Sequence, residues 1–122
     1  MNPSLDPSEP RVRLESRDGH AVVVLVGEIG IALAGELRSA CVEASDLATD
    51  VALDWRDLAH LDASALQVLI ALRERVHEQG HRLRAEPPPA RVADLLALAG
   101  FRDGLVDRQA ASGEALAAPS TA

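Results

Sequence analysis

Six consecutive residues, Ala21-Val22-Val23-Val24-Leu25-Val26, have no polar side chain, and the valines among them are β-branched. Side chains alternate between the two faces of a strand, so an unbroken apolar run of this kind predicts a strand covered on both sides, inside a sheet. The segment before it differs. From Arg11 to Ser16 polar and apolar residues alternate, with Val12 and Leu14 on one face, as suits a half-exposed edge strand. Asp18-Gly19 lies between the two segments and is a hairpin-turn pair, since glycine tolerates the positive φ such turns need. The two segments are therefore expected to pair as an antiparallel hairpin.

Residues 27–30 break this pattern. From Ile31 to Leu47 the apolar positions Leu33, Leu37, Ala40, Cys41 and Ala44 fall on one helical stripe, with Glu36, Arg38, Glu43 and Asp46 facing out. Residues 51–55, VALDW, predict a short strand. A helix should begin at Asp62 and run to about Gln79, where Gly80 stops it. HRLRA, 81–85, predicts a fourth strand, the prolines at 87–89 a rigid connector, and residues 90–99 a third helix with Val92, Leu95, Leu96 and Leu98 as its apolar positions. The order β-β-α-β-α-β-α implies an α/β fold: a mixed sheet of about four to five strands with helices packed mainly on one face. Three proline-containing positions near the start, Pro3, Pro7 and Pro10, mark residues 1–10 as a flexible lead. The small polar sequence of residues 107–122 is expected to be a disordered tail, leaving 11–106 as the folded domain.

Composition narrows what such a domain can do. The chain has 122 residues, enough for one domain with a real core, and is 48% apolar and 25% charged. Its only aromatics are Trp55 and Phe101, so the core must be aliphatic. A net charge of −7 argues against a nucleic-acid partner, whose affinity comes largely from cations neutralising phosphates. No apolar run approaches the roughly 20 residues that cross a bilayer, and the first ten residues lack the pattern of a signal peptide. With one cysteine, Cys41, no intramolecular disulfide is available, and a cytoplasmic location is expected.

Signs of catalysis are absent. No phosphate-binding glycine loop and no nucleophile elbow occur, so no cofactor is expected. His77 and His81 have the spacing of a metal pair, but Gly80 between them ends the helix, and no metal site is expected. Cys41 sits on an apolar stripe near Glu36 and Glu43, the opposite of the electropositive setting a reactive thiolate needs.

The remaining candidate is HLDASALQVLIAL, residues 60–72. Asp62 has the character of an N-cap, whose carboxylate accepts the free amides of the first turn and suits the helix dipole. Ser64 then lies in the first turn between Ala63 and Ala65, small neighbours that let another protein approach closely. Two readings follow. Serine is common in the first turn simply because its hydroxyl bonds locally there. Alternatively, Ser64 is a modification site, for which a helix start is a favourable place. The apolar run is also open to two readings. Ala65, Val68, Leu69, Leu72 and Val76 have core spacing, whereas Leu66 and Ile70 widen the stripe. Either the domain covers this helix on two sides, or its first turns present apolar surface to a partner.

The order VALDWRDLAHLDASALQVLIAL, then Gly80, then HRLRAEPPPARVADLLALAGF resembles the STAS domain family, the fold of bacterial anti-sigma factor antagonists, over roughly residues 11–106. The resemblance implies a sheet flanked by helices and no catalytic activity. In antagonist members an Asp, then a small or hydroxyl residue, then a Ser or Thr begin this helix, and a partner anti-sigma kinase phosphorylates the last of these. That implies Ser64 as phospho-acceptor and Asp62, Ala63, Ser64, Ala65, Leu66 and Gln67 as the partner-binding segment. Two positions depart from the pattern: the preceding serine of many members is Ala63, and the usual following glycine is Ala65. Two other branches share the pattern, namely STAS subunits that bind the ATPase of a phospholipid-trafficking transporter and STAS proteins of chemotaxis-like signalling systems.

The implied mechanism is electrostatic. A phosphoryl group adds about −1.5 to −2 of charge, and a partner contacting the first turn through apolar surface would face a desolvated dianion. The unmodified domain is expected to bind and the phosphorylated one to let go. An enzyme reading, with Ser64 as nucleophile and His60 as its base, has nothing in the sequence that directs His60 toward Ser64.

Overall fold

The computed structural model describes residues 9–100 and, as backbone, residues 107 and 108. Eight elements follow in chain order: strands β1 (Arg11–Arg17) and β2 (His20–Ile29), helix α1 (Ile31–Asp46), strand β3 (Val51–Leu61), helix α2 (Ala63–Glu78), strand β4 (Leu83–Ala85), helix α3 (Ala90–Leu98) and strand β5 (Asp107–Arg108). They form one five-stranded sheet in the order β1-β2-β3-β4-β5. Only the β1–β2 pair is antiparallel; β2–β3, β3–β4 and β4–β5 are parallel and joined through the three helices. The mixed sheet expected from the sequence is thus present. The expected flexible lead, residues 1–10, and the tail beyond residue 108 lie almost entirely outside the described residues, but Asp107 and Arg108, expected in that tail, pair with β4 instead, so the sheet reaches past the expected boundary at 106.

The hairpin forms on the expected pair. Asp18 and Gly19 have φ of 53° and 82°, and the register runs without a slip from Arg17↔His20 to Arg11↔Val26. Positive φ at both turn residues matches the twist of the flanking strands.

β2 is covered on both faces, as its run of valines predicted. Ala21, Val23 and Leu25 face one way into the main core, while Val22, Val24 and Val26 face the other and form a separate buried cluster against Ala52. All three helices contribute buried residues to the main cluster, so the helices lie on one face of the sheet. Leu37, Cys41 and Ala44 come from α1, Ala65, Val68, Leu69, Leu72 and Val76 from α2, and Val92 and Leu96 from α3. Leu66 and Ile70 are half-buried and pack against this core, which makes them shoulders of the inward stripe. Leu98 departs from expectation: it is 86% exposed, lying two positions past Leu96 and so off the face that Val92 and Leu96 bury. Trp55 is buried in the core and its indole N–H donates to the Glu86 carbonyl at 2.8 Å, so the one large polar group in the core is satisfied.

Two strand boundaries differ from the sequence reading. β3 does not stop at Trp55 but continues through Arg56, Asp57 and His60 to Leu61. The charged residues masked the continuation, while Leu58 and Leu61 carry its inward face. β2 likewise runs past Gly27 to Ile29. Irregularities in register between Val24 and Val26 and between Gly27 and Glu28 accommodate the two long strands and spoil the simple alternation that marks a strand. The long pair matters for function, because its far end delivers Ile29 and Leu61 side by side, immediately before α1 and α2 begin.

Candidate functional site

Where β2 and β3 end, the starts of two helices are brought together. The Asp62 amide donates to the Ile29 carbonyl at 3.1 Å, closing the strand pair. Asp62 is the N-cap of α2, in extended conformation. Its Oδ1 accepts from the Ala65 amide at 3.1 Å, the bond expected of an N-cap, and from the Ser64 hydroxyl at 2.6 Å. Its Oδ2 accepts from the Ile31 amide of α1 at 3.1 Å. One carboxylate therefore caps two helices, its own and one whose first amide lies 31 residues earlier in the chain.

Gly30 makes this possible. It is the N-cap position of α1 and has no side chain with which to cap it. Its φ of −131° is open to any residue, so conformation is not the reason for glycine here. Space is: a Cβ at this position would stand 2.8 Å from Asp62 Oδ2, closer than side chains tolerate. The absent side chain lets the carboxylate reach the α1 amide.

The donors hold the Asp62 carboxyl below its usual range, first through the Ser64 hydroxyl and then through the Ala65 amide, with the Ile31 amide adding to them. None of these donors is a cation. Ser64 is half-buried, Ala63 and Gln67 are exposed, Leu66 is half-buried, and the Ala65 side chain lies wholly in the core. Ala65 in place of glycine is thus at home: it is an ordinary helical residue whose methyl fills core space. Its part at the surface is confined to the amide held by Asp62. Beside these residues stands Ile31, 79% exposed, a large apolar side chain at the mouth of α1. Neither Gly30 nor Ile31 stood out in the sequence; the break in pattern at residues 27–30 was the only signal.

The other candidates are placed elsewhere. The Ser64 hydroxyl donates to a carboxylate rather than to an imidazole, and His60 is exposed on β3 opposite Glu28. Cys41 is buried, and burial pushes its thiol up to about 12, which leaves it protonated at neutral pH. His81 lies 3.6 Å from Asp50 at the opposite end of β3. A concavity of about 950 Å³ lies away from Ser64, across the strand segments of the helix-free face of the sheet. There Asp54 bonds both Arg17 (2.9 Å) and Arg56 (3.0 Å), while Arg84 pairs with Asp50 at 3.1 Å. Those five side chains are paired with one another. Among the described residues no helix is long and apolar enough to cross a membrane.

A hairpin leading into parallel strands, three helices on one face and an Asp-Ala-Ser helix start together define a STAS-type domain. The comparisons agree: the family model described as "Mlab, STAS domain" matches residues 12–107, and the chain belongs to the STAS family. An anti-sigma-B factor antagonist of Bacillus subtilis (strain 168) is 26% identical over 101 residues, covering 83% of this chain and 92% of the relative. An anti-sigma factor antagonist from Mycobacterium paratuberculosis superposes with a TM-score of 0.64 at 24% identity, over 91% of this chain and 94% of that one. The Bacillus cell fate determinant SpoIIAA, in its phosphorylated form, gives a TM-score of 0.63 at 16% identity, over 87% and 96% of the two chains.

Proposed function

We propose that this protein is a non-catalytic, protein-binding regulator of the anti-sigma factor antagonist kind, and that phosphorylation of Ser64 releases its partner. The observation that carries the reading is the 2.6 Å bond from the Ser64 hydroxyl to Asp62, on a half-exposed helix start with Ala63 and Gln67 open beside it. A serine in this place is reachable, and its hydroxyl has a single defined orientation. Support comes from the relatives: an anti-sigma-B factor antagonist is similar over most of the chain, and a neighbour in fold exists in a phosphorylated form. The partner expected on this reading is an anti-sigma factor with serine kinase activity, contacting Asp62, Ala63, Ser64, Leu66 and Gln67 and the start of the helix at Ala65.

The switch follows from charge. Phosphorylation replaces a neutral donor with a group of about −1.5 to −2 beside a carboxylate and in a chain of −7, and a partner that buries it must desolvate an unpaired dianion. Incubation with the anti-sigma kinase encoded nearest the gene, and labelled nucleoside triphosphate, should label the wild-type chain and not Ser64→Ala. Ser64→Asp should fold, because negative charge suits a helix start, yet bind the kinase more than tenfold more weakly. Equal binding by Ser64→Asp and wild type removes Ser64 from the contact.

A further inference from the structure

We infer that Asp62 acts as a relay, so that phosphorylation of Ser64 also unfastens the start of α1 and changes a second surface, around Gly30 and Ile31. The inference rests on the reading that Ser64 is modified, and it adds a consequence which that reading does not contain.

The geometry leaves the carboxylate little independence. Its two oxygens belong to one rigid plane. Oδ1 is committed to the Ser64 hydroxyl and the Ala65 amide, and Oδ2 to the Ile31 amide. Phosphoryl transfer forms the Ser64 Oγ–P bond and breaks the bond from the terminal phosphorus of a nucleoside triphosphate to its bridging oxygen. The nucleoside diphosphate departs and the hydroxyl proton passes to the kinase's base. Two things then change at Oδ1 together: its shortest hydrogen bond is lost, and a dianion sits where the donor was. The groups holding Asp62 are a hydroxyl and backbone amides, with no guanidinium or ammonium among them to absorb the new charge. Like charges at this separation repel, and the carboxylate must turn or withdraw. Turning Oδ1 away carries Oδ2 off the Ile31 amide. Gly30 brings no side chain to replace it, so the first turn of α1 is left with an unpaired donor and loosens.

Ile31 makes this visible to a partner. Its apolar side chain is 79% exposed at the end of the strand pair where Ser64 sits, and its amide is the group released. A partner that touches Ser64 and Ile31 together would experience added charge at one contact and altered presentation at the other.

The test is amide hydrogen exchange with ¹⁵N–¹H spectra on the full chain in wild type, Ser64→Ala and Ser64→Asp. Exchange of the Ile31 amide should rise at least tenfold in Ser64→Asp and by a smaller factor in Ser64→Ala, where only the donor is lost. The Leu47 and His81 amides, held by backbone carbonyls far from the site, should keep wild-type rates. If Ser64→Asp fails to fold, Ser64→Glu carries the same charge, and Ser64→Ala tests the loss of the donor alone. Wild-type shift and exchange at Ile31 in the folded variants would overturn the relay. Partner binding measured on the same samples separates the two ideas. Lost binding with an undisturbed Ile31 amide keeps the switch and overturns the relay. A disturbed Ile31 amide with unaltered binding upholds the relay and overturns the switch.

Discussion

Asp54 and Asp62 are both drawn below the ordinary range of a carboxyl, by opposite means. Asp54 lies on the helix-free face of the sheet, where the Arg56 guanidinium beside it, aided by Arg17, holds its carboxyl down to about 2. Asp62 lies at the end of the same strand and is held by a hydroxyl and backbone amides. The first is a charge neutralised by charges, on a surface built from β1, β3 and their paired side chains. The second is a charge dispersed into neutral donors, one of which is the Ser64 hydroxyl. Sensitivity to charge therefore differs along one strand: new negative charge near Asp54 meets two cations, whereas the groups bonded to Asp62 include none.

Asp62→Ala should have the largest effect. Two helix starts lose their acceptor together, and the melting temperature should fall by roughly 5–10 °C, read by circular dichroism. An unchanged melt would show that neither start depends on the carboxylate. Asp54→Asn should cost less, about 1 kcal/mol in chemical denaturation, since Arg17 and Arg56 are largely solvated and screening discounts the ion pairs. Salt separates the two carboxylates further. At 1 M NaCl the difference between wild type and Asp54→Asn should shrink, while that between wild type and Asp62→Ala should persist, because its donors carry no charge.

Acid sharpens the contrast along another axis. The folded pKa of Asp54 lies below its unfolded value of 3.8, so its contribution to stability is complete above 3.8 and is lost as pH falls toward about 2. Wild type should lose stability through that window, and Asp54→Asn should lose less. A slope identical in the two proteins would remove Asp54 from the acid response. The smallest effect concerns Cys41. With its thiol pushed up to about 12 by burial, it should resist iodoacetamide at pH 7 in wild type and Asp54→Asn, and react only slightly faster in Asp62→Ala, where α1 is loosened at its start. Rapid labelling of the wild type would contradict its buried position.

Most of the fold was legible because each signal was local. The valine run, the Asp18-Gly19 turn and the stripes of α1 and α2 each lie within one window of sequence; the α2 stripe and Leu37, Cys41 and Ala44 of α1 pack together in the core, with Leu33 half-buried against it. The Asp62 cap and its proximity to Ser64 were legible for the same reason. What escaped was set by distance in the chain or by irregularity. The second half of β3 was hidden by Arg56, Asp57 and His60, which face solvent from a strand whose inward positions are spaced by register shifts. The bond from Ile31 to Asp62 joins parts of the chain that nothing local links, so Gly30 registered only as a break in pattern. The Asp54 cluster depends on Arg17 from the hairpin lying across from β3, which periodicity does not report.

The borrowed cap of α1 also has a consequence for the order of assembly. A helix that carries its own N-cap can be sealed by local contacts as soon as it nucleates. α1 has only glycine at that position, and its acceptor belongs to the residue that follows β3. Its first turn is therefore completed only after β3 has docked beside β2 in parallel, a step with the slow loop closure of non-local pairing. The expected kinetic signature is a low φ-value at this junction. Gly30→Ala, which crowds the Asp62 carboxylate at the junction of the two helix starts, should accelerate unfolding and leave the refolding rate nearly unchanged in stopped-flow denaturant jumps. A refolding rate slowed in proportion to the lost stability would place this junction in the folding nucleus instead.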